Sequence, residues 1–432
     1  MKKRGIALWV SILLGGVCLA AAGEWSSGAP RDEIKPRFSR TSSGHLVIEH
    51  DARTGLHGYW RREFPVTGGR HYEFRAWRRV AGVADPQRSA FVTILWLDDK
   101  DKRVLDDRPL VTRYLRKFTP WTPLEYPTER EAAGGWAEFA AVYQAPGNAR
   151  KAVVDLHLLW APRGRVEWRD ISLREAQAPQ GRKVRLAAVH FRPVGGKTPE
   201  GNRLLFAPLI EKAAAQRADL VVLGETLTYY GLGRKPAETA EPVPGPSTEF
   251  FGELARKHNL YIVAGIFERD RHLVFNTAIL MGPDGKLVGK YRKVTLPDNE
   301  WNQGVAPGSD YPVFQTRFGK VGMMICYDGF FPEVARRLTL RGAEVIAWPV
   351  WGCNPDLARA RAAENHVYLV SSTYEDTSSE WMLTAVWDQT GDTVARAREW
   401  GEVAIAEVDL DAQTRWPSLG EFKAKIIRHA PR

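Results

Sequence analysis

The chain has 432 residues, too many for one ordinary domain and suited to two or three. An apolar content of 44% and a charged content of 26% are those of a soluble globular protein, which excludes wholesale disorder. The formal net charge of +10 is spread along the chain without a Lys/Arg block interleaved with aromatic residues, so no nucleic-acid partner is predicted.

The N-terminus has the pattern of a secretory signal peptide. Lys2, Lys3 and Arg4 precede a mostly apolar, uncharged run that closes on Ala20-Ala21-Ala22, where cleavage is expected. We therefore predict a signal peptide over residues 1–22 and an exported protein, periplasmic or extracellular. The uncharged run is near the lower length limit of a membrane-spanning helix, so an uncleaved membrane anchor is the alternative.

Residues 23–178 are predicted to form an all-β domain. Short segments alternate apolar and polar residues and are broken by Gly, Pro and Asp turns, which is typical of an antiparallel sandwich. The segment from Asp98 to Glu131, rich in proline and charge, is predicted to be a long loop. Clear examples of the alternation are His71 to Trp77, Phe91 to Trp96, Ala137 to Tyr143 and Val153 to Leu158.

The order of these segments resembles jelly-roll modules of the galactose-binding or carbohydrate-binding kind. The resemblance rests on Gly58-Tyr59-Trp60, on Phe64-Pro65-Val66 and on the closing run from Val166 to Leu173. Exposed Trp and Tyr side chains could stack on sugar rings, although aromatic residues of a sandwich more often belong to its core. A glycan is therefore kept as a candidate partner of this domain.

A linker over Ala176 to Gly181 leads into residues 183–432, where the pattern changes. Apolar strands now alternate with helical segments, which indicates helices layered on a mixed sheet. The predicted strands are Val184 to Val189, Asp219 to Leu223, Leu260 to Phe267, Leu273 to Met281, Glu344 to Trp348, Val367 to Ser371, Met382 to Trp387 and Val403 to Val408. The predicted helices are Pro199 to Arg217, Ser247 to His258, Pro332 to Arg341 and Asp356 to His366.

Cys326 stands where an apolar strand breaks into a turn. Val321 to Ile325 suits a buried strand, Asp328-Gly329 ends it, and Pro332-Glu333 suits the first turn of a helix. A thiol on such an elbow points toward an opening, and nearby backbone N–H groups can stabilise negative charge there, as nucleophilic catalysis requires. By itself the pattern also fits a small buried hydrophobic residue, the commoner role of a lone cysteine.

Removal of the signal peptide leaves Cys326 and Cys353, and export would permit a disulfide between them. We predict two free thiols, because a disulfide would inactivate Cys326 as a nucleophile. No CxxC motif or Cys/His cluster has the spacing of metal ligands, so neither a metal nor another cofactor is predicted.

Two further polar residues occur at strand ends. Glu225 follows the apolar run Leu220 to Leu223 and has the position of a base, and Lys293 closes a strand and is followed by Glu300. The order Glu225, Lys293, Cys326 resembles the nitrilase, or carbon–nitrogen hydrolase, superfamily. The supporting motifs are Ala218 to Val222, Phe275 to Ala278, Gly285 to Lys293, Cys326-Tyr327-Asp328 with Phe331-Pro332-Glu333, and Arg361 to Asn365.

The resemblance covers about Arg185 to Arg428 and implies an α/β fold, a four-layer α-β-β-α nitrilase-like sandwich, preceded here by the all-β jelly-roll sandwich. It also implies a homodimer or higher homo-oligomer. Glu225 would be the general base, and Cys326 would form an acyl-enzyme with the substrate.

The same resemblance gives Lys293 and the backbone N–H of Tyr327 the role of stabilising the oxyanion, and Glu300 the role of holding the lysine. Two positions depart from the family pattern. Gly224 stands where the family usually has a proline, and His190 stands where a glutamine is frequent; we interpret His190 as structural.

The leading hypothesis is an exported amidase, acting on a linear amide or an N-carbamoyl compound, because Cys-Tyr-Asp resembles the amidase branches. Nitrile hydrolysis by the same triad and a catalytically inactive glycan-binding protein are the alternatives. The substrate pocket is expected to be walled by the loops around residues 226–241, 301–311 and 348–356. The aromatic residues predicted to bind substrate there are Trp301, Phe330, Trp348 and Trp351.

Overall fold

A computed structural model describes residues 23–112, 119–379, 381–417 and 419–430. The predicted signal peptide, residues 1–22, lies outside the described residues. The described chain divides into two compact units. The first comprises residues 23–108 and 119–178, and the second comprises residues 109–112 and the described residues from 179 onward.

The first unit is an antiparallel β sandwich, as predicted. One sheet has the strand order β1-β4-β9-β6 and the other has the order β2-β3-β10-β5-β8-β7. Its strands are β1 (Ser26–Gly28), β2 (Arg37–Arg40), β3 (Leu46–Glu49), β4 (His57–Pro65), β5 (His71–Ala81), β6 (Val92–Leu97), β7 (Thr128–Glu131), β8 (Trp136–Gln144), β9 (Lys151–Leu159) and β10 (Arg165–Ala176), with a short helix α1 (Pro86–Ser89) before β6.

Large aromatic side chains fill the core of this sandwich. Trp60, Phe74, Trp96 and Trp168 are buried between the sheets. Their strands alternate inward and outward residues, so each strand contributes one apolar face to the core. In its described part the predicted long loop from Asp98 lacks regular strands until β7, which takes up its last four residues.

The second unit contains two six-stranded mixed sheets with helices outside them, and a separate two-stranded sheet made by its last two strands. Its strands are β11 (Lys183–His190), β12 (Leu220–Val222), β13 (Tyr261–Asp270), β14 (Leu273–Met281), β15 (Leu287–Arg292), β16 (Val313–Gln315), β17 (Lys320–Met323), β18 (Val345–Pro349), β19 (Tyr368–Ser372), β20 (Ala385–Trp387), β21 (Thr393–Arg396), β22 (Glu402–Asp409), β23 (Arg415–Trp416) and β24 (Gly420–Glu421). Its helices are α2 (Pro199–Leu204), α3 (Ala207–Ala215), α4 (Pro236–Thr239), α5 (Pro246–His258), α6 (Asp298–Trp301), α7 (Pro332–Leu340), α8 (Pro355–Asn365) and α9 (Phe422–His429).

These elements form the four predicted layers. The first sheet has the order β15-β14-β13-β12-β11-β22 and the second has the order β16-β17-β18-β19-β20-β21. Strands β11 and β12 of the first sheet contact β19 and β18 of the second, while α3 and α5 cover the first sheet and α7 and α8 cover the second. The α-β-β-α architecture expected from the sequence is therefore confirmed.

The helix predicted from Pro199 to Arg217 is in fact two helices, α2 and α3. The chain breaks between Leu204 and Ala207, directly before Pro208, whose ring removes a backbone N–H and disfavours helical geometry in the preceding residue. None of the helices in the described residues is both long and apolar enough to span a bilayer.

One short segment from the long loop belongs to the second unit. The Val111 N–H donates to the Arg415 carbonyl at 2.9 Å, and Leu110 pairs with Arg415 as a parallel bridge. The second unit is therefore not formed by one continuous stretch of chain.

We predict that a chain beginning at Gly181 folds by itself, because both sheets and their covering helices are formed by residues that follow it. It lacks the Val111–Arg415 hydrogen bond. Since such a bond contributes about 1 kcal/mol, its loss should lower the melting temperature by about 2–4 °C. Circular dichroism of this chain and of the chain beginning at Gly23 measures the difference.

The matched control is Val111→Pro in the longer chain, which removes the same N–H and should lower the melting temperature of the second unit by a similar amount. An aggregated chain, or one that unfolds without a cooperative transition, would mean that the boundary near residue 180 is wrong.

Candidate active site

The ends of parallel strands bring the candidate catalytic residues together. Strands β11, β12 and β13 are parallel in the first sheet, and β17, β18 and β19 are parallel in the second. Glu225 lies just beyond β12, Cys326 just beyond β17 and Lys293 directly after β15. Because the two sheets face each other, these three segments meet at one edge of the sandwich.

Cys326 opens a 3₁₀ turn, Cys326–Phe330, that follows β17. Its backbone has a φ of 38°, in the left-handed region that residues other than glycine rarely adopt. Thr226, next to Glu225, has a φ of 41°. Such conformations cost about 1–3 kcal/mol each and persist where surrounding contacts fix them, which is common at active sites.

Asp328 fixes the turn that carries Cys326. Its carboxylate accepts hydrogen bonds from the Ile325 N–H at 2.9 Å, from the Thr295 N–H at 3.0 Å and from the Tyr291 hydroxyl at 2.7 Å. The Thr295 hydroxyl donates to the same carboxylate. Asp328 is fully buried, so these donors replace the water that the carboxylate loses. The aspartate of the Cys-Tyr-Asp motif thus holds the shape of the elbow.

Trp348 supports the elbow from below. It is fully buried, and its indole N–H donates to the carbonyl of Cys326 at 3.3 Å. A Cβ on Gly329 would lie 1.9 Å from Cζ2 of the Trp348 ring, so only glycine leaves room for this close approach.

Both carboxylate oxygens of Glu225 accept hydrogen bonds. Oε1 accepts from the Lys293 ammonium at 3.0 Å and from the Asn276 side-chain amide at 2.8 Å. Oε2 accepts from the backbone N–H of Trp351 at 2.8 Å. These contacts from three chain segments orient a carboxylate that is almost completely buried.

Lys293 is buried between two carboxylates. Its Nζ donates to Oε1 of Glu225 at 3.0 Å and to Oε1 of Glu300 at 2.5 Å. Asn276 also donates to Glu300, at 3.1 Å, so one amide joins the two acids. Complete burial by itself would favour a neutral amine, but the facing carboxylates raise the pKa of Lys293 above its ordinary value. Burial raises the pKa of Glu300 to about 7, against the attraction of Lys293.

The surroundings of the Cys326 thiol favour its protonated form. Burial, and then the negative charge of Glu225, raise its pKa well above the ordinary value, and Lys293 offsets this only in part. Its Sγ lies 3.5 Å from the Gly352 carbonyl, toward which the S–H is directed. Nucleophilic attack by this thiol therefore requires a base to take its proton.

A cavity of about 440 Å³ opens above these residues. Its lining combines carboxylates, uncharged polar groups and aromatic rings, a composition suited to a small organic molecule. The lining residues are Glu225, Thr226, Tyr229, Pro236, Phe267, Pro297, Asn299, Glu300, Gln303, Cys326, Tyr327, Phe330, Trp351, Gly352, Glu375 and Trp381.

The four aromatic residues predicted to bind substrate have different placements. Phe330 and Trp351 line the cavity, as does the auxiliary residue Tyr327. Trp301 is largely exposed at the end of α6, where its indole N–H donates to Asp298, and it does not line the cavity. Trp348 does not line it either, because it is buried beneath the nucleophile. Phe330 and Trp351 therefore remain the predicted substrate contacts among the four.

Gly224 has a structural reason for departing from the family pattern. A Cβ at this position would lie 2.5 Å from Cε1 of the Tyr374 ring, which occupies the adjacent space. The Tyr374 hydroxyl donates to the backbone carbonyl of Glu225 at 2.7 Å. Tyr374 packs in turn against Tyr230 and Trp351, with ring centroids 4.5 and 5.6 Å away. The glycine admits a tyrosine that holds the Glu225 backbone.

His190 and Cys353 lie outside the cavity lining. The His190 ring stacks on Trp400 with centroids 4.1 Å apart and hydrogen-bonds Thr384 at 2.8 Å, and burial lowers its pKa to about 4. This is the structural histidine that the sequence predicts. Cys326 and Cys353 are both free thiols, and Cys353 is buried.

Four residues around the site had no assigned role in the sequence analysis: Asn276, Asp328, Tyr374 and Glu375. Asn276 and Asp328 fall within motifs that indicate the family. In each motif, a polar residue close to an apolar run was the signal that could have marked it as part of the site. Tyr374 and Glu375 follow β19 and carry no comparable local pattern. Among the described residues, no group of three or more His, Cys, Asp or Glu side chains is arranged to hold a metal ion.

Comparison with known proteins gives matches to the second unit. A family model described as carbon-nitrogen hydrolase matches residues 185–418. The nitrilase of Pyrococcus abyssi (strain GE5 / Orsay) is 38% identical over 224 residues, which cover 49% of this chain and 85% of that protein. The omega-amidase NIT2 of Xenopus tropicalis is 32% identical over 253 residues, which cover 53% of this chain and 90% of that protein.

A solved structure is also similar. The crystal structure of Saccharomyces cerevisiae Nit3, a member of branch 10 of the nitrilase superfamily, is 28% identical with a TM-score of 0.48, and the match covers 54% of this chain and 93% of that one.

The state of the Cys326 thiol can be titrated. In the Cys353→Ala chain, we expect thiolate formation only above the pH at which free cysteine ionises, because burial and Glu225 raise the pKa of Cys326. Ultraviolet thiolate absorbance across pH measures this, with the Cys326→Ala/Cys353→Ala chain as the blank. Thiolate absorbance already present at neutral pH would contradict the protonated resting state.

The contact between Gly224 and Tyr374 predicts non-additive substitutions. Gly224→Ala should destabilise the fold by about 1–3 kcal/mol, since the methyl group overlaps the Tyr374 ring. Tyr374→Ala removes that obstacle. In denaturant unfolding of the two single variants and the double variant, the double variant should be more stable than the sum of the single losses predicts. Simple additivity would show that the two positions do not compete for space.

Proposed function

The chain belongs to the carbon–nitrogen hydrolase family, and on that premise we propose that it hydrolyses a linear amide or an N-carbamoyl compound through an acyl-enzyme on Cys326. The observation that carries this proposal is the placement of the Cys326 thiol beside the Glu225–Lys293–Glu300 network at the floor of one cavity. The omega-amidase relatives support an amide as the substrate class.

Acylation begins when Glu225 takes the Cys326 proton and the sulfur attacks the substrate carbonyl carbon. The carbonyl oxygen becomes an oxyanion, stabilised by the Lys293 ammonium and by the N–H of Tyr327, the residue that follows the nucleophile. A preorganised donor of this kind contributes about 3–4 kcal/mol. The C–N bond then breaks while Glu225 returns the proton to the leaving nitrogen, which gives a thioester and ammonia or an amine.

Deacylation uses the same groups in reverse order. Glu225 takes a proton from a water molecule, the resulting hydroxyl attacks the thioester carbon, and the same two donors stabilise the second oxyanion. Collapse breaks the C–S bond, and the proton on Glu225 returns to the thiolate. The hydrogen bonds from Asn276 and from the Trp351 N–H keep the carboxylate in place through both halves.

Nitrile hydrolysis by the same triad is a second candidate, favoured by the similarity to a protein named nitrilase. Attack on a nitrile carbon would give a thioimidate, which water converts to the thioester with release of ammonia. A catalytically inactive glycan-binding protein is disfavoured by the complete network around Cys326.

Export and assembly form part of the proposal on sequence grounds. The N-terminal pattern of residues 1–22 supports a periplasmic or extracellular location, with a membrane anchor if that segment is not cleaved. The family resemblance supports a homodimer or higher homo-oligomer, and the jelly-roll resemblance supports a glycan as the partner of the first unit. The proposed reaction uses no metal or other cofactor.

We expect Cys326→Ala to lower kcat at least about a thousandfold while the protein stays folded, because no other group at the elbow can form the acyl-enzyme. Ammonia release from a panel of amides, N-carbamoyl compounds and nitriles provides the measurement. The matched control is Cys353→Ala, which removes a buried thiol outside the cavity lining and should keep most activity. Substantial hydrolysis by Cys326→Ala would remove the nucleophile from the proposal.

A further inference from the structure

The charged side chains that line the cavity are all acidic. Three carboxylates line it, those of Glu225, Glu300 and Glu375, and its described lining includes no Arg, Lys or His. The cation of the site, Lys293, is fully buried and already hydrogen-bonded to Glu225 and Glu300. A substrate entering the cavity therefore meets more negative than positive charge.

Glu225 and Glu300 both form ion pairs with Lys293, whereas Glu375 forms none with any residue that the structure describes. Its backbone N–H donates to the Thr373 hydroxyl at 3.2 Å, but its carboxylate has no hydrogen bond or ion pair with any residue in the described ranges. The side chain is only partly buried and faces the cavity. A carboxylate of this kind is available to a ligand and uses no part of its charge in holding the fold.

Glu375 stands close to the reacting sulfur. Its Oε1 would lie 2.7 Å from a Cβ built on Gly352, so the carboxylate rests against that glycine. The carbonyl of the same glycine lies 3.5 Å from Sγ of Cys326. One residue thus separates the nucleophile from the unpaired carboxylate, and both open into one cavity.

Aromatic rings form another part of the cavity wall. Tyr229, Phe330, Trp351 and Trp381 line the cavity together with Glu375. Trp351 is held between Tyr230 and Tyr374, with centroids 4.9 and 5.6 Å away. Ring faces attract cations through their quadrupoles, and a nearby carboxylate adds to that attraction. Aromatic rings combined with an acid suit an ammonium or guanidinium group on an organic chain.

We propose that the substrate is a cationic amide or N-carbamoyl compound, whose ammonium or guanidinium group binds Glu375 and the aromatic wall while its carbonyl carbon lies at Cys326. The proposal rests on the proposed function and specifies its substrate class. Glu375 is a specificity residue that takes no part in proton transfer. An anionic amide would bring a second negative charge next to Glu375 in a partly dehydrated cavity, which opposes its binding.

The test compares three amides of similar length on the full mature chain. They are δ-aminovaleramide, which is cationic at neutral pH, its neutral isostere hexanamide, and the anionic monoamide of adipic acid. We expect kcat/KM for the cationic amide to exceed that for hexanamide at least about tenfold, since a charge-assisted hydrogen bond is lost in the isostere. We expect the anionic amide to be the poorest substrate.

Two variants then assign the preference to Glu375. Glu375→Gln should lower the ratio of kcat/KM between the cationic and neutral amides toward one, and Glu375→Lys should shift the preference toward the anionic amide. The matched control is Glu399→Gln, which makes the same charge change on an exposed side chain outside the cavity lining and should leave the ratio unchanged. The ratio of the two kcat/KM values measured on one variant does not depend on the folded fraction of that variant, because the same enzyme concentration enters both values.

Binding to the Cys326→Ala chain separates this inference from the proposed function. Calorimetry with the same three amides should show the same order of affinity without turnover. The inference is overturned if the unsubstituted chain binds and hydrolyses the neutral or the anionic amide as well as, or better than, the cationic one. That result would leave the proposed amide hydrolysis unaffected. If the Cys326→Ala chain binds the cationic amide selectively but the unsubstituted chain hydrolyses none of the amides, N-carbamoyl compounds and nitriles tested, the cation site is supported and the proposed function is overturned.

Discussion

The active site depends on one buried ammonium group held between two carboxylates. The three groups come from different elements: Glu225 follows β12, Lys293 follows β15, and Glu300 lies in α6. The fold must hold all three within hydrogen-bonding distance of one another. Removing one partner of such a buried pair typically costs about 3–5 kcal/mol, because an uncompensated charge remains. Asn276 and the Trp351 N–H complete the shell, so the network couples both sheets of the sandwich.

The same network determines the chemistry that the thiol can perform. A cysteine activated only by a nearby cation would be a thiolate at rest. Here the burial of the sulfur and the negative charge of Glu225 outweigh Lys293 and raise the pKa of Cys326, which favours a thiol that needs a base. In the mechanism proposed above, Lys293 matters most when negative charge develops on the substrate oxygen. In the proposed mechanism the thiol and the substrate carbonyl are uncharged in the ground state, so the ammonium gains a new negative partner only in the transition state.

Much of the fold and the convergence of the candidate site residues could be predicted from the sequence, because both depend on local patterns. The apolar runs before Glu225, Lys293 and Cys326 mark buried strands, and polar residues directly after such strands meet where the sheets end. Pro208 is the local signal for the break between α2 and α3, which the apolar spacing of the segment does not show.

The cavity wall was harder to predict because it depends on contacts between distant segments. Trp348 and Trp351 are three positions apart in sequence, yet one lies under the elbow and the other lines the cavity. That difference arises because β18 ends between them, a boundary that apolar content alone does not mark. Glu375 is a candidate site residue only because folding places it close to Gly352 and Cys326, which are distant in sequence. Sequence patterns therefore indicate the reaction more directly than the substrate.

The close packing of Tyr374 on Gly224 has an evolutionary consequence. The two positions compete for one volume, so neither can drift independently of the other. A lineage that regains a bulkier residue before the glutamate must also replace the tyrosine, and a lineage that keeps the tyrosine must keep the glycine. Among homologous sequences, glycine at the first position and an aromatic hydroxyl at the second should occur as a linked pair, which would identify a subgroup that fixes the backbone of this glutamate in the same way.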